Sequence, residues 1–159
     1  MDTKQTYGRL YASTAELLSE KEPYITTLSS IAAFLYAALP SVNWVGFYFL
    51  HDAQLRLGPF MGKPACLRIP WGKGVCGAAA LARQTQVVND VHCFVGHIAC
   101  DPDSRSEIVV PIMVNQHVYG VLDIDSPLVN RFTEEDQNGL ERIVNAIEQY
   151  TVWSAFNFS

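Results

Sequence analysis

Residues 106–125 read SEIVVPIMVNQHVYGVLDID, and their rhythm decides the architecture. Apolar and β-branched residues fill 106–114 and 117–125, and the Asn115-Gln116 pair between them predicts a hairpin turn. Successive side chains of a strand point to opposite faces. Leu122 and Ile124 therefore face one way while Asp123 and Asp125 face the other, and Ile108, Val110 and Ile112 oppose Glu107 and Val109. Upstream, 44–50 (WVGFYFL) is aromatic and β-branched, 51–54 reads as a turn, and 55–60 as the partner strand. There Val45, Phe47 and Phe49 share one face and Trp44, Gly46 and Tyr48 the other. Each strand carries an ordinary core face and a second face of large aromatics or carboxylates. If the second faces lie on one side of the sheet, they form a pocket of Trp, Tyr and three acids, with the cysteine loops as its rim.

Helical spacing surrounds this β region. Tyr7, Leu10, Tyr11, Leu17 and Leu18 recur at helical intervals until Glu22-Pro23, and Ile25, Leu28, Ile31, Ala32 and Leu35 form a second apolar stripe ending before Pro40. Residues 75–83 predict a short Ala-rich helix, 86–89 a short strand and 90–105 a long loop. Thr133 with Asp136 three residues on is a relative of the capping box, and opens a last helix carrying Leu140, Ile143, Val144 and Ile147. Helices flanking a mostly antiparallel sheet predict an α+β fold. One domain is expected over 1–159, with N-terminal helices in 3–39, sheet and active-site loops in 43–126 and a C-terminal helix in 133–150.

Composition narrows the partners. At 159 residues the chain is one-domain length and buries enough surface to need no disulfide staple. A net charge of −5 argues against a nucleic-acid or anionic-membrane surface. The start, MDTKQT, has no secretory signal character, and no segment is long enough to span a bilayer. A cytoplasmic setting is expected. In a reducing compartment, clustered cysteines favour metal binding or thiol chemistry over a permanent bridge. All four cysteines (Cys66, Cys76, Cys93, Cys100) fall within 66–100, and their spacing matches no common zinc framework, so no metal is expected.

A single cysteine is ordinarily a small buried hydrophobe. Cys100 departs from that, lying in the polar, turn-forming loop GHIACDPD (96–103). Cys76 follows WGKGV (71–75) at a predicted helix start, where backbone N–H groups and Lys73 are expected to lower its pKa. Cys66 lies in a Pro-bounded loop, 64–70. Two such thiols brought together can pass through a sulfenic acid to a disulfide. Asp123 and Asp125 at i and i+2 would ordinarily mark a solvated face. Their apolar neighbours instead suggest a central strand, where crowding pushes one carboxyl pKa upward. Such a site holds a protonated acid beside an ionised one, able to donate a proton and to bind an ammonium. Trp44 and Tyr48 beside these carboxylates can cradle a methyl or cationic group. His92 and His97 flank the thiol loop; a Cys–His nucleophile is one reading, a solvated or structural histidine the ordinary one.

Taken together these residues resemble the GAF-domain free methionine-(R)-sulfoxide reductases over about 31–150. The likeness is carried by NWVGFY (43–48), GPF (58–60), GKGVCG (72–77), Val91-His92, GHIACD (96–101), SEIVVP (106–111) and GVLDIDS (120–126). Its most specific part is the frame C-x₉-C-x₂₃-C with Asp-Ile-Asp downstream. The resemblance implies a GAF-like fold and reduction of the R-sulfoxide of the free amino acid. It makes Cys100 the catalytic cysteine, Cys66 the resolving one and Cys76 an auxiliary thiol. It makes Glu107, Asp123 and Asp125 the pocket acids, and Trp44 and Tyr48 the substrate-cradling aromatics. It further implies no cofactor, reducing equivalents from a thioredoxin-like donor, and homodimers paired through helical faces. Cys93 lies outside the three-cysteine frame. A ligand-binding GAF module and a thiol redox sensor are the alternatives on the same fold.

Overall fold

Six strands build one sheet: β1 (Trp44–His51), β2 (Gln54–Gly62), β3 (Arg68–Pro70), β4 (Gln86–Val88), β5 (Ser106–Val114) and β6 (His117–Ser126). Their order is β3-β2-β1-β6-β5-β4, and every neighbouring pair is antiparallel. The computed structural model describes residues 2–151 and 153; positions 1, 152 and 154–159 of the expected domain lie outside the described residues. Helices α1 (Thr3–Ser19), α2 (Tyr24–Ala38), α3 (Gly74–Ala82) and α4 (Glu134–Tyr150) flank the sheet.

The alternation of the strands divides these helices between two faces. Val45, Phe47 and Phe49 of β1 join Leu122 and Ile124 of β6 and Ile108, Val110 and Ile112 of β5 in one core, covered by Leu10, Leu28, Ile31, Leu35, Leu140, Ile143 and Ile147 from α1, α2 and α4. Burying each such side chain contributes roughly 1.5–3 kcal/mol. This face anchors the fold, which leaves the opposite face room for polar residues. There α3 packs Val75, Cys76, Ala79 and Ala80 with Trp44, Tyr48, Val109 and Val121.

Local signals set the element ends. Thr133 accepts from the Asp136 N–H and Asp136 reaches back to the Thr133 N–H, so the box is complete with Asp in the usual Glu position. Asp136 is buried, accepts from Tyr7 Oη at 2.7 Å and pairs with Arg131 at 3.0 Å, locking α1 onto α4. Three expectations need correcting. Ile25 is 51 % exposed and stands outside the buried stripe of α2. Residues 68–70, expected within a loop, form β3 against β2, an edge strand whose terminal Pro70 needs no ladder donor. Within the expected 90–105 loop, Val91–Cys93 forms a 3₁₀ turn capped by Asp90.

Candidate active site

The strand register places the second faces together. Trp44 on β1 sits opposite Asp125 on β6, which sits opposite Glu107 on β5; in the next row Gly46 faces Asp123, which faces Val109. Directly paired residues hold their Cβ atoms about 5 Å apart. Two rows of an antiparallel sheet thus bring three carboxyls and an indole onto one patch. The co-facing expected from alternation is what the structure has. Trp44 stacks on Tyr48 at 5.9 Å and on Phe60 at 5.5 Å between ring centroids, so Phe60 joins the aromatic cradle.

Gly46 makes that stack possible. A Cβ there would lie 2.4 Å from Trp44 Cη2 and 2.5 Å from the Phe60 Cβ. Gly46→Ala is expected to lift the indole off the sheet, destabilising the fold by about 1–3 kcal/mol. KM should rise about tenfold if the indole is the wall against which substrate rests. Steady-state kinetics beside a thermal melt separate the two effects, and an unchanged KM would reject the cradle role of Trp44.

Two loops close over the patch. Cys66 and Cys100, both half-buried, are joined in a disulfide with their Cα atoms 5.6 Å apart. The aromatics tether the first loop: Trp44 Nε1 donates to the Lys63 carbonyl at 3.1 Å, and Tyr48 Oη to the Cys66 carbonyl at 2.9 Å. Lys63 then bridges to the second loop, its Nζ lying 2.5 Å from Asp103 Oδ2 and 3.9 Å from Asp101 Oδ1. The tethers run from pocket floor to the Cys66 loop to the Cys100 loop.

With the disulfide formed, the cavity holds about 30 Å³ and is lined by Trp44, Tyr48, Cys76, Glu107, Asp123 and Asp125 among others. That is room for a water or two, and far too little for an amino acid. Gly74 opens α3 at φ +61°, a left-handed conformation that favours glycine, and Ile98 of the Cys100 loop packs against it.

Burial dominates the electrostatics of the cavity. Burial pushes the carboxyl pKa of Glu107 well up, and the Asp125 charge adds to it. Burial likewise raises Asp123, reinforced by Glu107, and raises Asp125, reinforced by Asp123 and then Asp101. The neighbouring Asp123 carboxyl offsets part of the rise at Glu107, and the Cys76 thiol part of that at Asp123. The expected lowering of the Cys76 pKa is overturned: burial raises it strongly, and Asp123 and Glu107 raise it further. Lys73 caps α3 with no side-chain hydrogen bond, and burial together with the adjacent acids holds Cys76 as a thiol.

His97, ambiguous in the sequence between a nucleophile's partner and a solvated or structural ring, lines the site. Its Nε2 lies 3.5 Å from Glu107 Oε2, and burial lowers its pKa, favouring the neutral ring. The signal available was its place three residues before Cys100, which by itself does not distinguish a pocket-facing ring from a solvated one. His92 is exposed and pairs with Asp90 at 3.3 Å. Cys93 is exposed and free, while Cys76 is buried and free. Cys76, Glu107 and Asp123 also bring one donor atom each within 4.8 Å of one another, a grouping able to hold a metal ion.

Comparison with known proteins agrees with this geometry. A GAF domain family model matches residues 23–150. The free methionine-R-sulfoxide reductase of Escherichia coli K12 is 47 % identical over 149 residues, covering 94 % of this chain and 90 % of that protein. The structure of fRMsr of Staphylococcus aureus in complex with substrate has a TM-score of 0.86 at 51 % identity, covering 91 % of this chain and 94 % of that one. The free methionine-R-sulfoxide reductase from Neisseria meningitidis in complex with its substrate gives 0.91 at 37 % identity, over 94 % and 90 %.

Proposed function

This chain belongs to the free methionine-R-sulfoxide reductases of the GAF domain family, and from that premise we propose how its pocket carries out the reduction. It is an oxidoreductase that converts free methionine-R-sulfoxide to methionine. The single observation that carries the mechanism is the Cys66–Cys100 disulfide above the buried acids.

The chemistry needs a thiolate, a proton donor and an ammonium partner in one place. A sulfoxide oxygen leaves poorly until protonated. Cys100 attacks the sulfoxide sulfur while a pocket acid delivers a proton to the oxygen. The hydrogen-bonded pair Glu107 and Asp123, both raised in pKa, is suited to holding that proton. Asp125, facing Trp44 across β1 and β6, is placed to meet the ammonium while the indole and Tyr48 wall the S-methyl. Methionine departs and Cys100 is left as a sulfenic acid. The Cys66 thiol condenses with it, an S–S bond forming as water leaves. An external dithiol of the thioredoxin class reduces the disulfide by exchange. Cys76, protonated and buried, is reserved as an auxiliary thiol. With the disulfide formed the cavity holds about 30 Å³, so substrate binds the reduced form.

Incubating reduced protein with free methionine-R-sulfoxide tests the scheme: two thiols should disappear per methionine formed, and the S epimer should be inert. Loss of no thiols would favour a ligand-binding module, and equal response to peroxide without substrate a sensor. Lys63→Met should slow disulfide closure only a few-fold, because the pair is solvent-exposed and screened. Dimedone trapping should then capture more Cys100 sulfenic acid, and high salt should erase the difference between variant and parent.

A reducing compartment such as the cytoplasm suits the cycle, and no helix of the described residues is long and apolar enough to cross a membrane. Pairing as a homodimer through helical faces belongs to the same proposal. On α2, Ile25, Phe34 and Tyr36 are exposed and suited to it; sedimentation velocity is the test.

A further inference from the structure

Cys76 takes no part in the Cys66–Cys100 bridge, yet it lines the cavity. Its Sγ lies with carboxylate oxygens of Glu107 and Asp123 in a group no more than 4.8 Å across, all three residues buried. Asp123 is 6 % exposed, and its Oδ1 is buried with no hydrogen-bond partner among the described residues. His97 Nε2 stands 3.5 Å from Glu107 Oε2. A soft sulfur and two hard oxygens thus converge, with an imidazole nitrogen beside one of the two carboxylates.

We propose that this cluster is a binding site for a thiophilic divalent cation of the zinc class, ligated by Cys76 Sγ, Glu107 and Asp123, with His97 or a water as fourth ligand. Zinc–sulfur bonds of about 2.3 Å and zinc–oxygen bonds of about 2.1 Å in a tetrahedron set neighbouring donors roughly 3.5 Å apart. The group needs only a modest contraction. A thiolate in the set selects zinc, cobalt or cadmium over magnesium or calcium. A cavity of about 30 Å³ admits one ion where an amino acid does not fit. Binding replaces the Cys76 S–H bond by an S–metal bond, the proton passes to solvent, and no electrons move. The donors come from α3, β5 and β6, so spacing along the chain could not display a ligand pattern. Given the function proposed above, the ion occupies carboxylates that the substrate requires, and so inhibits reversibly.

Cobalt titration of the oxidised protein tests the site, because Cys76 and Cys93 are then the only free thiols. The expected result is a near-ultraviolet thiolate-to-cobalt band, displaced by zinc, unchanged in Cys93→Ser and lost in Cys76→Ser. Glu107→Gln, which keeps the thiol, should weaken binding about tenfold or more, a readout that stands if Cys76→Ser fails to fold. A band that survives Cys76→Ser, one that vanishes with Cys93→Ser, or no band at saturating cobalt would overturn the proposal. In the reduced enzyme, zinc should inhibit competitively with free methionine-R-sulfoxide. A Cys76-dependent band without inhibition would support the metal site while counting against this cavity as the substrate pocket.

Discussion

Cys100→Ser is expected to lower kcat/KM for free methionine-R-sulfoxide by about 10⁴-fold or more, the scale on which removal of a nucleophile acts. A serine hydroxyl is scarcely ionised and cannot take up the sulfoxide oxygen as a cysteine thiolate does in becoming a sulfenic acid. The loss should therefore appear in kcat, and added dithiol should not restore it. Cys66→Ser should behave differently: one methionine should form per chain in a single turnover, after which Cys100 sulfenic acid accumulates. Cys93→Ser should remain near the parent enzyme, since that thiol is exposed and outside the bridge. Rapid-quench kinetics with mass analysis of the cysteines distinguish the three variants. Full turnover by Cys100→Ser would refute the nucleophile assignment, and a dead Cys93→Ser would make that extra thiol part of the cycle.

Asp123→Asn is expected to have opposite effects on activity and stability. Removing an acid from the pair proposed to supply the proton should reduce kcat/KM by about 10²–10³-fold. The same change removes a buried carboxyl whose charged form the fold disfavours, first through burial and then through Glu107. An acid with a raised folded-state pKa favours folding most fully below its unfolded pKa, near 3.8. That advantage is lost as pH rises towards the folded pKa. At neutral pH the variant should accordingly be the more stable protein, on the order of 1 kcal/mol, or roughly 3 °C at this chain length. The gap should close on acidification towards pH 4. Thermal melts across pH check the sign, and a variant less stable than the parent at pH 7 would mean that Asp123 is ionised and well compensated. Reductase activity that requires a protonated Glu107–Asp123 pair should likewise fall as pH rises, with the descending limb shifted or lost in the variant. Function here is maintained against the preference of the fold.

How much of this was legible beforehand varies by residue. The second faces of β1, β5 and β6 could be read from period-two alternation alone, since a strand's side chains have no other choice of direction. Trp44, Glu107, Asp123 and Asp125 were found that way. Cys66, Cys76 and Cys100 were visible as candidates, while their separate roles rested on the resemblance. The Cys76 pKa is not legible in the sequence because a helix start is a local feature, whereas the opposing carboxyls arrive from β5 and β6. His97 and Phe60 escaped for the same reason, each acquiring its part through contacts across the fold. β3 escaped because three residues carry too short a pattern to outweigh the prolines around them.

The chain by itself determined which residues face the apolar core and which are left on the other side of the sheet, because that choice depends on backbone periodicity and the free energy of burying hydrocarbon. Only the tertiary structure decided which strands are neighbours, and with that the row Trp44–Asp125–Glu107, the Lys63 bridge between the cysteine loops and the meeting of Cys76 with two acids. The physical reason is distance. Periodicity acts through bonds within a few residues, whereas a shifted pKa or a shared proton depends on charges a few ångströms apart in space.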